Sequence, residues 1–357
     1  MFTALADAGA RPDSRPADSG FSPTDWAILS RFWHPVAFAN EVADQPFAAR
    51  LLDVDLVLYR TAQGLTVAHD RCPHRSVKLS LGRVVGEELV CAMHGLRFDC
   101  AGRCTAIPSV PAGSVRIPAQ ARLHTFPAVE RYGIVWTCLA GEAQWALPAW
   151  PAFEVPGRAF YTASDVWQAS AARHVENFND VAHFPWVHGG TFGGAVDWTV
   201  PVYDVQSTDY GLRFELPYTE GGNRFPDEAG RGLATREVRY IYELTFPFST
   251  QIEVDVQGSD YTHWFCDTVC PRSASETRIF QIFTDTQGVA DPAYWIADAE
   301  HINREDKPLV EAQAAALPLD PRAEIHIPAD RMSLAWRRAL VERFGLGTGR
   351  VPMAEKT

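Results

Sequence analysis

Apolar and polar residues alternate in short runs up to about Leu139 and in long runs beyond it. The early apolar segments are strand-sized: Phe32 to Val36, Leu51 to Tyr59, Leu65 to Ala68 after a break at Gly64, Val84 to Val90, and Gly133 to Cys138. Period-two runs bounded by turn residues, with few helical patterns, predict an all-β domain over 25–142. Residues 1–24 are rich in Ala, Asp, Pro, Ser and Gly and predict a mobile tail. Ala143 to Pro156, carrying Pro148, Pro151 and Pro156, reads as a linker opening a second domain over 143–357. A strand-like Ala159 to Val166 and a helical Ala171 to Phe184 begin that domain. Long alternating segments follow at Val202 to Leu216, Arg236 to Phe246, Thr250 to Val256, Tyr261 to Val269 and Thr277 to Phe283. Helices are predicted from Pro292 to Ala316 and from Ser333 to Arg343. The fold class is therefore α+β: an all-β domain, then a helix-grip type domain in which a curved antiparallel sheet holds a long helix.

Composition narrows this picture only slightly. The 357 residues suffice for two domains. A net charge of −12 argues against nucleic acid as a partner. No stretch approaches the length of a membrane span, and the first residues lack a basic, then apolar, leader pattern. Seven cysteines without a disulfide framework fit a reducing, cytoplasmic setting. Cys100, Cys104, Cys138, Cys266 and Cys270 read as packing residues or free thiols. Arg331, Arg337, Arg338 and Arg343 on the last helix read as a solvated face, and His174 as an ordinary packing histidine.

Candidate chemistry starts with Cys72-Pro73-His74 and Cys91-Ala92-Met93-His94, separated by sixteen residues. Each half offers one thiolate and one imidazole. Two Cys and two His suit a [2Fe–2S] centre with sulfur on one iron and nitrogen on the other, which raises its reduction potential. Zinc takes the same residue types, but its common fingers order them Cys, Cys, His, His. Pro73 stiffens one loop and Gly95 permits a tight turn in the other. The two segments resemble the cluster-binding loops of Rieske proteins.

A cluster that receives electrons needs a recipient. His183 and His188 are imidazoles suited to Fe(II), yet at i, i+5 they lie about 140° apart on a regular helix. Pro185 between them predicts a break that lets His188 swing towards His183. A facial triad needs one carboxylate more. Asp298, Glu300, Glu305, Asp306 and Glu311 all lie on the later helix, and spacing does not choose among them. Asp180, three residues before His183, shares its helical face and can orient its free N–H. Asn177, one turn earlier, is a candidate for steadying the iron site.

With both constellations present, the chain resembles the catalytic α subunits of the Rieske non-haem iron oxygenases, in particular the dicamba O-demethylase and methylxanthine N-demethylase group. Asp180-x-x-His183-x4-His188 is similar to that family's iron motif. Glu305-Asp306-Lys307-Pro308-Leu309-Val310-Glu311 resembles the segment carrying its third ligand, which singles out Asp306 and leaves Glu305 and Glu311 to a solvated or ion-paired face. The resemblance implies a head-to-tail homotrimer in which Asp180 bridges His183 to the cluster ligand His94 of a neighbouring subunit. It also implies O₂ as co-substrate, and a flavin/iron–sulfur reductase or ferredoxin that delivers electrons from NAD(P)H. No G-x-G-x-x-G follows a strand in this chain, so NAD(P)H is not expected to bind here. Monooxygenation or oxidative demethylation of a small aromatic or heterocyclic compound is the expected reaction. Ring cis-dihydroxylation is the alternative, and a non-catalytic Rieske electron carrier is a further one. Trp186, Phe192, Trp198, Trp264 and Phe283 are candidates for the substrate pocket.

Overall fold

The computed structural model describes residues 15–349 except 112, 115, 195–196, 222–234, 289–291 and 315. Residues 1–14 of the expected tail lie outside it. The remainder of that tail is held: Asp53 Oδ2 accepts from Ser19 Oγ and the Gly20 N–H, each at 3.0 Å. Among the described residues five α-helices follow: α1 (Pro23–Leu29), α2 (Ala171–Phe178), α3 (Phe184–Val187), α4 (Pro292–Glu311) and α5 (Arg331–Phe344).

The N-terminal part is built from three small antiparallel sheets, matching the all-β expectation. Leu51 to Tyr59 is not one strand, however. Phe47–Leu51 and Val54–Thr61 form a hairpin, with Leu51 opposite Val54. Its two loop residues, Leu52 and Asp53, take positive φ values of 50° and 67°. Gly or Asn normally marks such a turn, so the sequence gives no warning of it. The strand pair Glu88–Val90 and Arg97–Phe98 carries one cysteine–histidine loop between its ends, and strand Gly64–His69 leads into the other. A separate core of Val57, Tyr59, Leu89 and Phe98 packs beneath both loops, with Cys72 and Cys91 among its members.

The C-terminal part is one seven-stranded antiparallel sheet, ordered Tyr161–Trp167, Thr277–Asp285, Thr262–Pro271, Ser249–Val256, Thr235–Thr245, Gly211–Gly221 and Gln206–Ser207. It curls into a half-barrel around α4. Buried positions on α4 fall at Trp295, Ala299, Asn303, Asp306 and Val310, a single stripe of helical period. The opposite face of the sheet meets the N-terminal part. Phe38 packs edge-on to Phe280 at 5.1 Å, and Arg278 Nη2 donates to both carboxylate oxygens of Glu41 at 2.7 and 2.9 Å.

His34 sits at this junction, 1% exposed, 2.8 Å from the Leu29 carbonyl and 6.2 Å from the Phe248 ring. Burial pushes its pKa down to about 4, and the hydrogen bond to Leu29 offsets only part of that. The unfolded imidazole, near 6.5, takes a proton that the folded one refuses. Stability is therefore full above about pH 6.5 and falls as pH drops towards 4. Comparing urea unfolding at pH 7 and pH 4.5, the wild type should lose about 2–3 kcal/mol more than His34→Gln, which keeps a donor but cannot titrate. Equal losses would contradict the assignment.

Candidate active site

The two cysteine–histidine loops share one backbone plan. Each cysteine N–H donates to the carbonyl five residues on, Cys72 to Val77 and Cys91 to Leu96, both at 2.9 Å. Each cysteine carbonyl accepts from the N–H four residues on, Ser76 at 2.9 Å and Gly95 at 3.0 Å. Both of these fourth residues have positive φ, 61° at Ser76 and 72° at Gly95. The sequence marked only the glycine. The sulfurs are buried, and burial together with the neighbouring Cys91 thiol pushes Cys72 up to about 11. A thiol raised this far stays protonated unless a cation claims it. The imidazoles lie at the exposed edge, with His74 Nδ1 3.2 Å from His94 Nδ1. Two buried sulfurs and two exposed nitrogens on facing loops fit the donor set of a mixed cysteine–histidine cluster.

The second constellation forms where α2 gives way to α3. The expected helix from Ala171 to Phe184 ends earlier, at Phe178. Asn179 stays behind as its cap, donating from Nδ2 to the Val175 carbonyl at 2.8 Å. Asp180 occupies the turn: Oδ1 accepts from the Ala182 N–H at 2.9 Å, and Oδ2 pairs with His183 Nδ1 at 3.0 Å. Pro185 does not break the helix. It lies in the first turn of α3, where a missing N–H costs nothing. His183 and His188 cap the two ends of that single turn: His183 is still in the helical region (φ −80°, ψ −15°), His188 leaves it (φ −103°, ψ 21°), and the two imidazoles five residues apart meet.

The resulting geometry is a triangle. His183 Nε2 and His188 Nε2 lie 3.2 Å apart. Asp306 Oδ1, from α4, stands 3.5 Å from the first and 3.3 Å from the second. Each imidazole is pinned through its other nitrogen, His183 by Asp180 and His188 by Glu305 Oε2 at 2.8 Å. A histidine that donates its Nδ1 proton to a carboxylate presents a lone pair at Nε2. Three electron-rich atoms thus converge, and Asp306 Oδ1 is buried with no hydrogen-bond partner. That arrangement is costly without a cation and suited to one. Among the described residues these three are the group placed to hold a metal ion. Electrostatics agree: burial alone would lower His188, but Asp306 and Glu305 outweigh it and raise its pKa. Burial would raise Asp180, but the His183 contact holds it low.

Glu305 is ion-paired, one of the two settings the sequence left open to it, but its partner belongs to the triangle. It grips His188 Nδ1 at 2.8 Å and accepts from Thr191 Oγ1 at 3.1 Å, a task the sequence did not mark. Glu311 does take the expected polar role, accepting from the Gln168 N–H at 2.8 Å.

A cavity of about 810 Å³, its open mouth included, adjoins the triangle. Phe192, Phe283 and Asn177 line it. Trp264 does not. His263 and Phe265 face the cavity, so strand alternation sends Trp264 to the other side, where it donates to Glu253 at 3.0 Å and meets Arg158. Trp186 and Trp198 also lie elsewhere: they pack on each other at 4.5 Å, 67% and 62% exposed. The polar lining includes Glu220, Tyr242, Gln281 and Asn303, none of which the sequence had marked. Asn303 carried a readable signal, as a polar residue on the buried stripe of α4.

Residues 32–127 match the Rieske [2Fe-2S] domain, and residues 167–343 match the vanillate O-demethylase oxygenase C-terminal domain. The methylxanthine N1-demethylase NdmA of Pseudomonas putida is 31% identical over 323 residues, spanning 88% of this chain and 89% of that protein. The methylxanthine N3-demethylase NdmB of the same organism is 31% identical at the same coverage. The solved structure of NdmA with caffeine superposes with a TM-score of 0.75 at 26% identity, covering 94% of this chain and 100% of that one. Dicamba monooxygenase bound to 3,6-dichlorosalicylic acid also reaches 0.75, at 20% identity over 90% of this chain and 99% of that one, a likeness of fold.

Proposed function

Because the chain belongs to the Rieske non-haem iron oxygenases, we propose that it is a terminal oxygenase that monooxygenates or oxidatively demethylates a small aromatic or heterocyclic compound. The observation that carries this reading is the His183–His188–Asp306 triangle, with an unpartnered buried oxygen, opening onto an apolar cavity. In this reading Cys72, His74, Cys91 and His94 hold the [2Fe–2S] cluster, and His183, His188 and Asp306 hold Fe(II). When bound, these groups supply one-electron relay and O₂ reduction.

The protein's own residues do the rest. Asp180 Oδ2 and Glu305 Oε2 each hold the Nδ1 proton of a ligand histidine, fixing its tautomer and aim. Phe178, Phe184, Phe192 and Phe283 wall the cavity and keep water from the reacting carbon. Asn177 lines the same wall. A separate flavin/iron–sulfur reductase or a ferredoxin supplies the electrons, drawn from NAD(P)H. An apolar cavity with a metal triad is superfluous in a pure electron carrier, which disfavours that alternative.

Assembly belongs to the proposal. His74 and His94 are exposed while their partner cysteines are buried, so electrons leave through imidazoles that a second subunit can touch. Exposed Leu81 and Met93 flank these histidines in sequence, and exposed Trp186 lies on α3 near Asp180. These features support a head-to-tail homotrimer in which Asp180 meets His94 of the neighbouring subunit. We place the domain boundary at residue 143 and the protein in the cytoplasm, the latter supported by seven free cysteines. Among the described residues no helix is long and apolar enough to cross a membrane.

Turnover with a reconstituted reductase, scoring formaldehyde, hydroxylated product and cis-diol separately, tests the reaction. Formaldehyde or a monohydroxylated product is expected. A cis-diol as the main product would replace this reading with ring dihydroxylation.

A further inference from the structure

The polar floor of the cavity is wired in one direction. Asp267 is 2% exposed. His174 Nε2 lies 2.9 Å from its Oδ1, and Gln281 Nε2 donates to its Oδ2 at 3.0 Å. The Gln281 amide nitrogen, not its oxygen, is the group turned towards the Asp267 carboxyl oxygen. That choice fixes the next residue. Gln281 and Asn303 form a reciprocal amide pair, with Asn303 Nδ2 donating to Gln281 Oε1 at 2.8 Å and Gln281 Nε2 donating to Asn303 Oδ1 at 3.2 Å. Both N–H groups of Gln281 are now spent. Asn303 cannot flip without setting oxygen against oxygen and nitrogen against nitrogen.

Asn303 therefore keeps one N–H unspent. It is 6% exposed, lines the cavity, and lies one helical turn before Asp306. A buried donor of this kind asks for an acceptor on the ligand. A second unspent group lies close by: the hydroxyl of Tyr242, a residue that lines the cavity, is buried without a partner. Charge points the same way. Among the described residues no Lys or Arg lines the cavity, and the lining carboxylate outside the triad, Glu220, is already paired with Arg236 and Tyr240. A carboxylate ligand would meet no cationic Lys or Arg side chain among these residues to offset its desolvation.

We infer that the substrate is an uncharged small molecule whose carbonyl oxygen accepts from Asn303 Nδ2, which positions the carbon to be oxidised beside the triad. This inference rests on the oxygenase reading of the site. His174, Asp267 and Gln281 act through Asn303 as positioning residues.

The test measures binding to the iron-loaded, oxidised protein, so no turnover is needed. Three probes suffice: N-methyl-2-quinolone (a neutral lactam), N-methylindole (no carbonyl) and 4-methoxybenzoate (a carboxylate). The lactam should bind about tenfold more tightly than either of the others. Asn303→Leu should weaken the lactam about tenfold and leave N-methylindole within about twofold. Asn303→Ala, which removes the amide without adding bulk or charge, should do likewise and carries the test if the leucine variant fails to fold. Three results would overturn the inference: no lactam binding at millimolar concentration, tighter binding of 4-methoxybenzoate than of the lactam, or equal weakening of lactam and N-methylindole by the variants. The oxygenase reading fails separately, through iron content or reductase-dependent O₂ uptake, whatever the order of binding.

Discussion

Asp306→Ala should leave the cluster absorbance intact and remove turnover. Two imidazoles 3.2 Å apart remain, without the carboxylate that completes the triad. Losing only the partner of a ligand histidine costs about 10–100-fold in metal affinity or activity. Losing a ligand should cost more, leaving activity below about 1% of wild type. The cluster loops belong to another core and should not respond. Glu305→Gln calibrates the effect. It keeps a group near His188 Nδ1 but removes the anionic acceptor, and should fall within that 10–100-fold range of lost iron affinity. Steady-state turnover, the visible spectrum and iron analysis on the same preparations check both variants. Substantial turnover in Asp306→Ala would remove Asp306 from the ligand set.

Arg337→Met should produce the largest loss of stability. Arg337 is not on a solvated face, as its basic neighbours on α5 suggested. Its side chain is 3% exposed and reaches Glu176 at 2.6 Å and Glu324 at 2.7 Å. It also donates to the Pro318 carbonyl at 3.0 Å. Arg173 meets the same two carboxylates at 3.4 and 2.6 Å. Four charges thus tie α2, α5 and the segment between α4 and α5 into one network. Replacing such an arginine strands its partners in a buried setting and costs about 3–5 kcal/mol. Arg337→Lys should recover only part, since one ammonium cannot reproduce the fork across two carboxylates. Because α2 carries Asn177 and leads into Asp180, the methionine variant should also bind iron more weakly. Urea denaturation reads the loss; a change under about 1 kcal/mol would contradict the account.

What the sequence made legible was local. Cys72-Pro73-His74 and Cys91-Ala92-Met93-His94 announce their chemistry through residue type and spacing, and the long alternating runs announce the antiparallel sheet. The structure adds what distance along the chain conceals. Arg337 reads as surface until Glu176, 161 residues away, is folded against it. Glu305 and Asp306 are neighbours on one helix, and only the position of His188 separates a residue that holds the imidazole from one that faces its Nε2. Trp264 looked like a pocket aromatic because strand alternation names two faces without saying which is inner. Pro185 was assigned the right consequence, two histidines brought together, through the wrong cause. The helix had already ended at Phe178, and the proline opens the next turn.

The central claim is that one chain holds both a two-iron cluster and a separate iron triad. Quantifying iron and acid-labile sulfide in the purified, reconstituted protein tests it most directly. Three irons and two sulfides per chain are expected, falling to two irons and two sulfides in Asp306→Ala. Two irons per chain in the wild type, with sulfide unchanged, would leave a cluster with nothing to feed and contradict the account.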